Sequence, residues 1–105
     1  MLQIAENDKG RKVTLAVGEV VELSLAENRT TGFQWELKAK AKPVCELVKD
    51  EFEPSAGPPG SGGVHRWQFQ AVRAGSGEIE LHYRRPWEKN AAPARTYQVS
   101  VRVAT

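Results

Sequence analysis

Apolar side chains recur at every second position in a series of short stretches of this chain, and nowhere at helical spacing. Val13, Leu15 and Val17 alternate with Lys12, Thr14 and Ala16, and the run stops at Gly18. Val21, Leu23 and Leu25 form a second such run, and Phe33, Trp35 and Leu37 a third. Residues 44–52 read as a fourth. Trp67, Phe69 and Ala71 mark the fifth, Ile79, Leu81 and Tyr83 the sixth, and Tyr97, Val99, Val101 and Val103 the last. A period of two sends successive side chains to opposite faces of a strand, so each run has one apolar face to bury. About seven short strands in 105 residues predict an all-β fold, an immunoglobulin-like antiparallel β-sandwich. On this pattern Trp35 and Trp67 face the core. His65 and His82 read as solvated strand residues.

Residues 1–105 are expected to form one domain, a length that supports a single core without disulfides. The composition, 27% charged and 40% hydrophobic, is that of a globular chain. No apolar run approaches the roughly 18 residues that span a bilayer, so no membrane partner is expected. The opening segment lacks the basic start and apolar run of a signal peptide. That leaves a cytoplasmic protein or a mature chain restarted at methionine. The net charge of +2 is made of interspersed signs. Its one basic cluster, Arg84 and Arg85 with Lys89 nearby, is too small for a nucleic-acid surface. Cys45 is the only cysteine. It excludes an internal disulfide or a thiolate metal cluster, and its apolar neighbours make it an inert core thiol. No His, Asp or Glu spacing suggests a metal site, and no cofactor is implied.

If each strand crosses the sandwich once, successive connections alternate between its two ends. The connections after the second, fourth and sixth strands then share one end. They are the polar segment Asn28-Arg29-Thr30-Thr31-Gly32, the Pro/Gly-rich residues 53–63, and a loop opening Arg85-Pro86-Trp87. The other end receives plain turns at Gly18-Glu19, 39–43 and 74–77. All the compositionally unusual loops therefore gather on one side, the usual layout of a binding surface on a β-sandwich. Gly32 permits a sharp bend and a close backbone approach. Trp87, restrained by Pro86 and flanked by arginine, has the composition of an interface hot spot, against the plainer possibility that it folds onto the rim of the core. Gly60-Ser61-Gly62-Gly63 suits backbone pairing with a partner or plain flexibility. It lacks the Lys-Ser/Thr ending of a phosphate cradle.

These same residues carry a family resemblance. Asn28-Arg29-Thr30-Thr31-Gly32-Phe33, followed by Trp35, resembles the Asn-Pro-Thr-Thr-Gly-Tyr/Phe motif of chagasin-like inhibitors of cysteine peptidases. Gly60-Ser61-Gly62-Gly63 is similar to that family's Gly-x-Gly-Gly motif, and Arg85-Pro86-Trp87 to its Arg-Pro-Trp/Phe motif. The three come in family order over nearly the whole chain. The resemblance implies an immunoglobulin-like fold that binds a papain-like cysteine peptidase, cathepsin L-like or similar; a monomer is expected. It would use the residues just named and no cofactor. It also implies a wedge: the Thr30-Thr31 tip enters the catalytic cleft while the other two loops grip its walls. The departure is Arg29, where the family usually has proline. Proline would stiffen the loop by fixing φ, so its loss costs ordering, whereas arginine offers a charge contact. The alternative is an immunoglobulin-like adhesion or carbohydrate-binding module with Trp87 stacked on a sugar. An enzyme is not expected, because the tip offers no general base or metal.

Overall fold

The structure, a computed structural model, describes residues 1–58, 62–88 and 90–104. Eight strands are present among them: β1 (Leu2–Ile4), β2 (Lys12–Ala16), β3 (Val20–Glu27), β4 (Gln34–Lys40), β5 (Cys45–Pro54), β6 (Gly63–Ala71), β7 (Gly75–Arg84) and β8 (Arg95–Ala104). They form two four-stranded sheets, in the orders β1-β3-β6-β5 and β2-β8-β7-β4. Pairing is antiparallel except where β1 runs parallel to β3 and β2 parallel to β8. The expected immunoglobulin-like sandwich is the observed one, with an added first strand. β1 was not legible because it is three residues long and buries only Ile4, too little to establish a period.

The alternation does the work expected of it. Every second residue of β3, β6 and β8 is buried, and Val21, Leu23, Trp67, Phe69, Ile79, Leu81, Val99 and Val101 meet in the core between the sheets. Trp35 and Trp67 both face inward, and Cys45 is buried as a free thiol whose pKa desolvation raises. Burying this apolar surface is the main favourable contribution to folding.

Two segments read as loops are partly strand. Glu53 and Pro54 continue β5 and pair with Val64 and Gly63. Proline is tolerated there because β5 is an edge strand, whose outer backbone groups need no ladder partner. Likewise Gly75 to Gly77 already belong to β7 and pair with residues 101–103 of β8. A Cβ on Gly77 would lie 2.9 Å from the Ala41 backbone, so glycine lets these two segments approach.

His65 overturns the expectation of a solvated histidine: it is only 6% exposed. Its position has the inward parity of Trp67 and Phe69, and the pleat, rather than residue type, decided its direction.

Candidate functional site

β3 ends at Glu27 and β4 begins at Gln34, and the segment between them is tightly built. Arg29–Thr31 form one 3-10 turn, with Asn28 as its cap. The Asn28 side chain accepts hydrogen bonds from the Thr30 N–H at 3.1 Å and the Thr30 hydroxyl at 2.5 Å. The Thr31 hydroxyl donates to the Asn28 carbonyl at 2.8 Å. Gly32 ends the turn in the left-handed region at φ 84°, donating to the Arg29 carbonyl at 3.0 Å. Both threonine hydroxyls thus spend their protons inside the loop and keep only acceptor capacity for a partner.

The loop after β7 closes on this tip. Arg85 donates to the Thr31 carbonyl at 3.2 Å, and its guanidinium lies 4.6 Å from the centroid of the Phe33 ring. Phe33 stacks on Tyr83 with centroids 5.3 Å apart, and the Tyr83 hydroxyl accepts from the Asn28 N–H at 3.2 Å. Trp87 is 67% exposed and does not fold onto the core rim. It stands against the tip instead, where a Cβ on Gly32 would overlap the ring at Cη2. Pro86 is exposed beside it.

The β5–β6 connection reaches the other flank. Ser55 donates to the Gly62 carbonyl at 2.8 Å, closing the hairpin. A Cβ on Gly62 would lie 3.2 Å from the Glu27 carbonyl oxygen and 3.4 Å from Cβ of Asn28. Gly63 is packed as closely, since a Cβ there would overlap the Glu53 carbonyl. Gly62 and Gly63 therefore allow neighbouring backbones to touch. Gly60 and Ser61, expected in the same surface, lie outside the described residues, as does Lys89. Asn28, Arg29, Thr30, Thr31, Gly32, Phe33, Gly62, Gly63, Arg85, Pro86 and Trp87 all lie at one end of the sandwich. The plain connections gather at the other, where Gly18 bonds Ala71 and Val72 bonds Val44.

The family model described as Chagasin family peptidase inhibitor I42 matches residues 14–101. The chain belongs to the chagasin family of peptidase inhibitors. Amoebiasin-1 of Entamoeba histolytica is 34% identical to it, over 97% of this chain and 99% of that protein. Chagasin of Trypanosoma cruzi is 31% identical over 81% and 82% of the two chains. The crystal structure of the cysteine protease inhibitor EhICP2 from Entamoeba histolytica superposes with a TM-score of 0.89 at 23% identity, covering 98% of this chain and 95% of that one. That likeness carries the fold. Membership leaves the adhesion or carbohydrate-binding alternative without support.

Sequence reasoning missed what lies beneath the tip of this chagasin-family chain. Glu27 is 2% exposed, and its carboxylate accepts from the Trp35 N–H at 2.6 Å and from Arg29 Nε at 2.8 Å. His65 Nδ1 lies 3.3 Å from Glu27 Oε2, and His65 Nε2 bonds Asp50 Oδ1. The imidazole stacks on Trp67 with centroids 3.9 Å apart, and the Arg29 guanidinium lies over Phe52, 4.1 Å from its centroid. Burial alone would push the Glu27 carboxyl up. Hydrogen bonds from His65, the Trp35 N–H and Arg29 outweigh it and hold the group below the usual carboxylate range. Burial alone would push His65 down, and the bonds to Glu27 and Asp50 raise it instead. Arg29 thus turns back into its own molecule. Among the described residues no cluster of His, Cys, Asp or Glu is arranged to hold a metal ion.

Proposed function

We propose that this inhibitor acts reversibly on papain-like cysteine peptidases, with residues 1–105 as one inhibitory unit whose three loops at one end of the sandwich occlude the catalytic cleft. The Thr30–Thr31 tip enters the catalytic cleft and covers the Cys–His pair of the peptidase, and the hydroxyls accept hydrogen bonds from polar groups there. The tip need not place a carbonyl against the thiolate, so occlusion needs no cleavage. The 60–63 and 85–87 segments hold the walls, and Trp87 stacks on an aromatic surface beside the cleft. Three loops of this kind reach the roughly 1,600 Å² typical of protease–inhibitor interfaces. The chain works as a binding protein without turnover.

The observation that carries this reading is the mutual contact of the loops: Arg85 bonded to the Thr31 carbonyl, Trp87 against Gly32, and Gly62 against Asn28. Tips already locked together lose little conformational freedom on docking, and that favours tight binding. The test is a titration of active papain with the protein. Activity should fall to zero near one equivalent and return on dilution. Full papain activity beside an excess of the protein would refute the proposal.

A further inference from the structure

One carboxylate holds both ends of the tip loop. Glu27 is the last residue of β3, and its Oε1 accepts from the Trp35 N–H, on the far side of the loop, at 2.6 Å. Its Oε2 accepts from Arg29, on the near side, at 2.8 Å. The group that holds Glu27 in place is His65, from the neighbouring strand, and Asp50 of the edge strand holds His65 in turn. An ionised carboxylate can only accept hydrogen bonds, so an imidazole facing one at each nitrogen must carry both protons. The four groups then balance: two carboxylates, an imidazolium and a guanidinium.

We infer that Glu27 is a positioning residue for the Thr30–Thr31 tip, and that its charged cluster with Arg29, His65 and Asp50 makes the ordering of the tip, and hence inhibition, depend on pH. The inference rests on the proposed inhibitory role of the tip. The groups facing His65 from the elements around it are Glu27 of β3, Asp50 of β5 and, through Glu27, Arg29 of the loop. Trp67 and Phe52 supply uncharged ring faces. Arg66, next to it on β6, is paired with Glu53 on the outer surface. When His65 loses a proton, one carboxylate loses its donor, and the cluster, which includes the buried Glu27, is left with one uncompensated negative charge. The direction of the two perturbed groups agrees: His65 is raised and Glu27 lowered, so the paired state spans the range between them. The tip should therefore be ordered from mildly acidic to neutral pH and loosen as pH rises through the folded-state value of His65, above its ordinary 6.5.

Two variants test this, Glu27→Gln, which keeps the shape but loses the charge, and Asp50→Asn, on the half-exposed edge, which leaves the core untouched. Amide hydrogen exchange of the free proteins reads tip order directly. Inhibition constants against papain between about pH 5 and 9, taken as ratios to wild type to cancel the enzyme's own titrations, read the consequence. Glu27→Gln should exchange the Gly32 and Trp35 amides roughly tenfold or more faster, with core amides such as Val99 unchanged, and should weaken inhibition by about the same factor, the scale of a hydrogen bond to a charged group. Asp50→Asn should inhibit as wild type at the acid end and lose affinity at a lower pH than wild type. Unchanged tip exchange in Glu27→Gln, or pH profiles that coincide in all three proteins, would overturn the inference. If wild type fails to inhibit papain at any pH, the proposed function falls, and the exchange data still decide whether Glu27 orders the tip.

Discussion

Gly32 and Trp87 meet at the tip, and the contact depends on the glycine. Gly32 sits at φ 84°, a region that costs an L-residue about 1–2 kcal/mol, and its bare Cα is what allows the Trp87 ring to lie against it. We expect Gly32→Ala to lower stability by about 1–3 kcal/mol in denaturant titration, and to weaken inhibition at least tenfold by displacing Trp87. Trp87 itself, 67% exposed, contributes little to folding. Trp87→Ala should leave the melting temperature nearly unchanged yet cost about 2 kcal/mol or more of binding, as a buried hot spot does. An unaltered inhibition constant in that variant would remove Trp87 from the interface. With Arg29 in place of the family's usual proline, this chain ties its loop by an ion pair to Glu27 and a guanidinium–ring contact with Phe52, so the stiffening comes from side chains rather than from a fixed φ.

The strands β3, β6 and β5 set side by side what the loops need beneath them. In β3, Glu27 continues the inward parity of Val21, Leu23 and Leu25, and in β6 His65 continues that of Trp67 and Phe69. The period therefore pointed both residues inward. Residue type argued against it, since an isolated buried charge is costly. What sequence could not supply was the pairing register that brings Asp50, Glu27 and His65 together across three strands. This cluster has a thermodynamic signature. His65 is raised in the folded state, so its contribution to stability is complete below the unfolded value near 6.5 and is lost as pH rises through the folded value. Glu27 is lowered, so its contribution is present above the ordinary carboxylate value and is lost as pH falls through the folded one. Denaturant midpoints across pH should trace both losses in wild type. The alkaline one should be absent in His65→Gln, and a midpoint that falls equally in both proteins would dissociate His65 from the effect.

At the scale of the whole molecule, the fold turns three distant segments into one surface and keeps them there. If occlusion requires no cleavage, the chain recovered after long incubation with a trace of papain should keep its full mass by mass spectrometry. A cut within 28–34 would instead mark a slow substrate. The sequence by itself determined the strand class, the core and the end of the sandwich to which the odd loops belong, because an alternating period and the parity of crossings are local or merely combinatorial. The Gly-rich and Arg-Pro-Trp segments were legible as motifs for the same reason. Only the tertiary structure decided that Trp87 lies on Gly32, that Arg85 reaches the Thr31 carbonyl, and that a buried carboxylate fastens both ends of the tip. Those contacts join residues far apart in the chain, and their geometry depends on strand register and sheet packing, which no local pattern encodes.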